Sequence, residues 1–94
     1  GYKLSALEIE AALLEHPAVA ECAVIGMPDD TWGEAVSAAI VTKPGATLTL
    51  PALREWCKSR LSVYKVPQRL AVVPALPRNA MGKVTKPAVR PLFG

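Results

Sequence analysis

Nine prolines cut this 94-residue chain into short pieces, and that punctuation limits its folding more than any other feature. Proline fixes φ and brings no N–H, so it is kept out of helix interiors and central strands. Pro17, Pro28, Pro44, Pro67, Pro74, Pro77 and Pro91 therefore mark the ends of elements. Pro51 and Pro87 are admissible in the first turn of a helix, where a missing N–H costs nothing. Every element must be short, and a core has to be assembled from several of them.

The first segment reads as a helix. Ser5-Ala6-Leu7-Glu8 has the form of a capping box, the Ser5 hydroxyl accepting from the Glu8 amide while the Glu8 side chain reaches back. Ala6, Ile9 and Leu13 share an apolar stripe that Leu7 and Leu14 widen, with Glu8 and Glu15 on the solvated side. Glu10 falls inside the apolar arc and needs a basic partner from another element or from a partner domain. Pro17 ends this helix near His16. A strand is expected from about Ala20 to Met27, then a polar loop from Pro28 to Gly33 that includes Trp32, then a second strand from about Glu34 to Val41. The loop is too short for a helix, so the two strands pair antiparallel.

After a turn at Lys43-Pro44-Gly45, Thr49 caps a second helix in which Leu50, Leu53, Cys57 and Leu61 repeat at near-helical spacing beside Trp56. Tyr64 to Pro67 link to a third strand, about Arg69 to Val73. Pro74 and Pro77 impose an extended run into Arg78-Asn79-Ala80-Met81-Gly82-Lys83, and a last short helix follows Thr85 until Pro91 breaks it. The order α-β-β-α-β-loop-α defines an α+β domain, a small sheet of about three strands packed with helices.

Composition removes several functions. Half the chain is hydrophobic (51%), too much for a disordered polyelectrolyte, yet no run of about 18 apolar residues escapes charge or proline, which argues against a membrane span. A net charge of +3 with scattered cations and 5% aromatics gives no basic face or stacking platform, so no nucleic-acid partner is expected. Cys22 and Cys57 have neither metal-site spacing nor the number for a disulfide scaffold, and read as two buried small hydrophobes. His16 has no partner at catalytic or ligand spacing, Asp29-Asp30 sit at a loop tip, and no metal site is expected. What remains is Lys83, directly after Gly82 on a proline-braced loop: Gly82 lets the backbone approach a ligand closely or adopt positive φ, which makes it a candidate cofactor-binding residue, and the Lys83 cation can reach developing negative charge on a phosphoryl oxygen. The start at Gly1-Tyr2-Lys3, without Met or leader, suggests a piece of a longer protein.

Pro77-Arg78-Asn79-Ala80-Met81-Gly82-Lys83 resembles the C-terminal lysine motif of the adenylate-forming superfamily. Gly1-Tyr2-Lys3-Leu4-Ser5-Ala6-Leu7-Glu8-Ile9-Glu10 is similar to the segment just after that family's domain hinge, and Leu61-Ser62-Val63-Tyr64-Lys65-Val66-Pro67 to its third C-terminal motif. Three motifs in order cover essentially the whole chain. The wording, including Pro28-Asp29-Asp30-Thr31-Trp32-Gly33-Glu34, is most similar to the malonyl-CoA synthetases within the superfamily.

The resemblance implies the small mobile lid of an AMP-forming acyl-CoA synthetase, working with a large N-terminal domain that binds ATP, Mg2+ and the acyl group. In the first step a carboxylate attacks the α-phosphate of ATP, and in the second the thiol of CoA attacks the acyl-adenylate. The small domain turns between the steps. The resemblance makes Lys83 the adenylation lysine and gives Gly1, Tyr2 and Lys3 to the pantetheine tunnel, where glycine leaves room for the thiol arm. It sets Lys58 at a basic position that in some members meets the CoA nucleotide, with a solvated helix-face lysine as the plain alternative. It brings Tyr64 and Lys65 near CoA too, but Tyr64 reads first as an amphipathic packing residue. The lid of an adenylation domain that loads a carrier protein is the competing reading, as is a lid from another short- or medium-chain acyl-CoA ligase. The cytoplasm is the default compartment and the mitochondrial matrix the alternative.

Overall fold

The computed structural model describes residues 5–31 and 33–94; Gly1, Tyr2, Lys3, Leu4 and Trp32 lie outside the described residues. Helix α1 spans Ala6–Leu13. Strands β1, Val19–Asp29, and β2, Gly33–Thr42, form an antiparallel hairpin. Helix α2, Leu50–Cys57, and a 3₁₀ turn at Val63–Lys65 lead to β3, Arg69–Val72, which joins the other side of β2 in parallel. The short helix α3, Lys86–Val89, runs into a final 3₁₀ turn at Arg90–Phe93. The strand order is β1-β2-β3, so β2 is central.

The expected α+β order and the antiparallel first pair are present. β1 runs past its expected end at Met27, through Pro28, which pairs with Glu34. An edge strand tolerates this. The Val24 N–H points away from β2, and Pro28, four residues on, is in the same phase, so its missing N–H removes no ladder bond.

β2 is buried on both faces from Ala35 to Ile40, and each face carries its own core. Val24, Val36, Ala38 and Ile40 face α1 and α2, packing with Ile9, Leu13, Leu53, Cys57, Leu61 and Val66. Ala23, Ile25, Met27 and Ala39 face the C-terminal segment and pack with Leu76 and Val89. A register shift between Val19 and Glu21 explains why odd-numbered Val19 joins the even-numbered side chains on the α1–α2 face. Small residues in β2 let both layers approach, and the one buried polar side chain among the described residues, Ser37, donates to the Ala35 carbonyl at 3.1 Å.

Several local expectations are corrected. Ser5 makes no side-chain cap, and its φ/ψ of −86°/63° is not the extended conformation a capping box uses. Glu8 instead pairs with Lys65 Nζ at 2.7 Å, tying α1 to the 3₁₀ turn. Leu7 and Leu14 do not widen the buried stripe: they are 83% and 51% exposed. At roughly 100° per residue both lie about 150° around the helix from Ile9. α2 ends at Cys57, and the chain turns before burying Leu61. Residues 64–67 are not a plain linker, since the 3₁₀ turn holds Tyr64 and Lys65 while Val66 and Pro67 are buried. Thr49 caps α2 as expected, its hydroxyl accepting from the Ala52 amide at 3.3 Å.

Glu10 finds its partner across the molecule. Its Oε2 accepts from the Val24 amide at 2.8 Å and from Lys86 Nζ at 2.6 Å, and the same Nζ donates to the Val24 carbonyl at 2.9 Å. Two side chains thus satisfy both outward backbone groups of an edge residue, closing a site where another strand would otherwise pair. They also bond α1 on one face of the sheet to α3 on the other.

His16 closes the turn after α1. Its Nδ1 accepts from the Ala18 amide at 3.0 Å, so the neutral ring carries its proton on Nε2. The ring lies 4.9 Å from that of Trp56, over which Arg60 stacks at 3.9 Å. Burial lowers the His16 pKa below its ordinary value, and the nearby Arg60 charge lowers it further.

Two stability predictions follow from these contacts. Glu10→Ala is expected to destabilise the chain by about 1–3 kcal/mol, the cost of stranding a partly buried donor, with Glu10→Gln intermediate because it keeps the acceptor. A urea midpoint unchanged in Glu10→Ala contradicts this. For His16 the native state disfavours protonation, so its stabilisation is complete above the unfolded pKa of 6.5 and is lost as pH falls towards the lower folded pKa. The urea midpoint should fall between pH 7.5 and pH 5.5, and His16→Gln should flatten that fall; an unchanged slope in the variant refutes the assignment.

Candidate functional site

The chain bends at Pro74-Ala75, so the run to Pro77 is not extended throughout as expected, and it leads into a small hairpin closed by a bridge between Arg78 and Val84. The Asn79 amide donates to the Lys83 carbonyl at 2.8 Å, and the Gly82 amide donates to the Asn79 carbonyl at 2.9 Å. Gly82 has φ +81°, and a Cβ built there meets nothing within 4 Å. The glycine is therefore required for its backbone angle, since no neighbour within this domain crowds the position. Asn79 Oδ1 accepts from the Met81 amide at 2.9 Å and from the Lys83 amide at 3.0 Å. The Arg78 guanidinium donates to the Gly82 carbonyl at 3.1 Å and pairs with Glu21 of β1.

The consequence is a cation on a fixed mount. Both backbone polar groups of Lys83 are bonded, while its side chain is exposed and, among the described residues, forms no ion pair. A lysine in this state can engage an incoming anion without first breaking a contact of its own.

Lys58 lies elsewhere. It follows α2, and its Nζ pairs with Glu55 at 2.8 Å, both side chains being largely exposed. The hydrogen bond from Lys58, reinforced by its charge, lowers the Glu55 pKa. Lys58 and Arg54, with the apolar Leu61, Val63 and Val66, line a cleft of about 110 Å³. Of these lining residues Val63 is 82% exposed, so the cleft is open on that side, and Arg54 is held by a 2.8 Å bond to the Pro67 carbonyl. Tyr64 is half exposed rather than packed away, with Lys65 Nζ 5.7 Å from its ring centre.

Lys58 belongs to the layer on one face of the sheet and Gly82-Lys83 to the segment on the other. The sequence-derived site is thus two sites, separated by β2 and its two cores. The third part, Gly1, Tyr2 and Lys3, lies outside the described residues. The Asn79 and Arg78 bonds are what reasoning from sequence missed; an Asn before a Gly-containing turn was the available signal.

The remaining candidates are structural. Asp29 accepts from the Thr31 amide at 3.0 Å and pairs with Arg69 at 3.4 Å, joining the β1–β2 loop to β3. Cys22 and Cys57 are both thiols. Burial, with the nearby Glu10 carboxylate adding to it, pushes Cys22 up to about 12, and burial raises Cys57 also, so neither is a thiolate at neutral pH. Among the described residues no group of three or more His, Cys, Asp or Glu is placed to hold a metal ion, and no helix is long and apolar enough to cross a membrane.

The geometry defines a class: a small α+β domain that offers a pinned lysine hairpin on one side of its sheet and a cleft lined by cationic and apolar side chains on the other. The family model for the AMP-binding enzyme C-terminal domain matches residues 8–83, and the chain belongs to that family. It is 52% identical over 96 residues to a malonate–CoA ligase of Arabidopsis thaliana, covering 92% of this chain and 16% of that protein. It is 47% identical over 89 residues to the mitochondrial malonate–CoA ligase of Homo sapiens, covering 95% and 16%. The solved apo structure of MatB from Rhodopseudomonas palustris superposes with a TM-score of 0.91 at 36% identity over 99% of this chain and 18% of that one, and MatB has also been solved with ATP bound. The chain spans about a sixth of the length of these curated relatives.

Proposed function

We propose that this chain is the mobile C-terminal domain of an ATP-dependent acyl-CoA ligase whose acid is malonate. The observation that carries the reading is the Lys83 mount: a lysine fixed at its main chain, unpaired at its ammonium among the described residues, in a domain of this family. The names of the relatives support malonate as the acid and CoA as the acceptor, in preference to a carrier protein or another short- or medium-chain acid.

In the first half-reaction a carboxylate oxygen attacks the α-phosphorus of ATP, and the bond to the bridging oxygen breaks with its electron pair leaving on pyrophosphate. Lys83 Nζ spans the carboxylate and the phosphate and ribose oxygens. It holds two anions that otherwise repel and offsets charge during the in-line displacement. In the second half-reaction the CoA sulfur attacks the acyl carbonyl, the thiol proton is lost, and AMP leaves. Here the domain turns its other face to the active centre. Lys58 meets the CoA nucleotide beside the cleft on the α2 side, and Gly1, Tyr2 and Lys3 line the pantetheine tunnel.

The large N-terminal domain supplies most of the ATP and acyl pockets. Mg2+ accompanies ATP there and neutralises phosphate charge. The described residues offer it no ligand cluster. The cytoplasm is the compartment proposed, with the mitochondrial matrix as the second reading on the description of the human relative.

Two variants of the enzyme carrying this domain test the assignment. Lys83→Ala should lower ATP–pyrophosphate exchange by roughly 100-fold or more, while thioester formation from supplied acyl-adenylate stays near wild type. In the wild-type enzyme malonate should outrun methylmalonate and acetate in that exchange. Gly1→Leu should do the reverse of Lys83→Ala, blocking thioester formation and sparing adenylation. Intact exchange in Lys83→Ala, or parallel loss of both steps in Gly1→Leu, sinks the corresponding role.

A further inference from the structure

Lysine has four side-chain torsions, so a reactive ammonium is placed only as well as its main chain is held. Three residues, Met81, Gly82 and Lys83, have to be fixed, and one residue, Asn79, does most of it, half through its side chain and half through its backbone. The Asn79 amide oxygen accepts from the amides of Met81 and Lys83, while the Asn79 backbone bonds to the Lys83 carbonyl and the Gly82 amide. Four bonds from one residue close the turn. Arg78 then fastens the turn to the sheet through the Gly82 carbonyl and Glu21.

These bonds contribute little to folding as a whole. The hairpin is exposed, Met81 is 80% exposed, and amides released there are taken up by water. Their effect is on direction and reach. Asn79 could have been any turn former if only a bend were needed, but its Oδ1 is the acceptor that fixes the Lys83 amide itself.

We infer that Asn79 is the positioning residue for the adenylation lysine, holding Lys83 so that its ammonium meets the reacting anions already aligned. This rests on the role proposed for Lys83 above. Asn79 touches no substrate in this account and acts through Lys83 alone, so its loss should appear only in the half-reaction that uses Lys83.

The test compares wild type, Asn79→Ala, Asn79→Asp and Lys83→Ala in the enzyme carrying this domain. Asn79→Ala should lower kcat for ATP–pyrophosphate exchange by about 10- to 100-fold, the order expected for an ångström-scale misplacement, with KM for ATP changed about two-fold at most. Thioester formation from supplied acyl-adenylate and the melting temperature should stay near wild type. Asn79→Asp retains an acceptor oxygen at the same reach and should recover most of the lost exchange rate.

Wild-type exchange in Asn79→Ala, with exchange lost in Lys83→Ala, overturns the positioning role and leaves the Lys83 role standing. Parallel loss of both half-reactions with a lowered melting temperature also overturns it, since that is the signature of a structural residue. Asn79→Asp as slow as Asn79→Ala refutes the acceptor argument. Exchange retained in Lys83→Ala removes the Lys83 role, and this inference with it.

Discussion

A strand buried on both faces has to be covered twice, and β2 imposes that requirement on the whole chain. From Ala35 to Ile40 it offers no side to solvent. Its even-numbered side chains need one apolar layer and its odd-numbered ones another. α1 and α2 provide the first, and the segment from Leu76 through Val89 to the C-terminal turn provides the second. The Lys83 hairpin and the Lys58 cleft are therefore on opposite sides as a result of packing, before any chemistry is considered.

The two layers do not move independently. Glu10 and Lys86 reach across the outer edge of β1 and share the Val24 backbone between them. Glu21 and Arg78 make a second tie from β1 to the lysine hairpin, and Asp29 with Arg69 links β1 to β3. The proposed function has the domain turn between two half-reactions, which requires both faces to be carried as one body, and these polar ties, set around the two apolar cores, suit that requirement. Most are partly exposed, so individually they add modestly to stability. Their value is in fixing orientation.

Much of this architecture was legible in the chain. Prolines other than Pro28 set the segment lengths, and the short loop before Gly33 required an antiparallel hairpin. Thr49 ahead of Pro51 announced α2, and Pro87 and Pro91 bounded α3. Glu10, conspicuous in an apolar arc, pointed to a distant cation. What failed did so for physical reasons. Ser5 and Glu8 match a capping box, but Lys65, 57 residues away, takes the Glu8 carboxylate. Leu7 and Leu14 look like core by composition, and only their angular position shows that they face out. Pro28 looked like a strand end, because its edge location is a property of the sheet and not of the segment. For the candidate site, Gly82 and Lys83 were singled out from local chemistry and resemblance, whereas the Asn79 and Arg78 bonds depend on a hairpin geometry that spacing does not encode. Nor did spacing reveal that Lys58 and Lys83 are divided by the sheet.

The central claim is that the two faces serve different half-reactions. Single-turnover kinetics of Lys58→Glu in the enzyme carrying this domain test it most directly, with acyl-adenylate formation and its discharge by CoA followed separately. Lys58 is exposed, so reversing its charge leaves the cores intact. The account predicts unchanged adenylate formation and a discharge step that needs a several-fold higher CoA concentration to reach half its maximal rate. Slowed adenylate formation with normal dependence on CoA contradicts the division of labour between the faces.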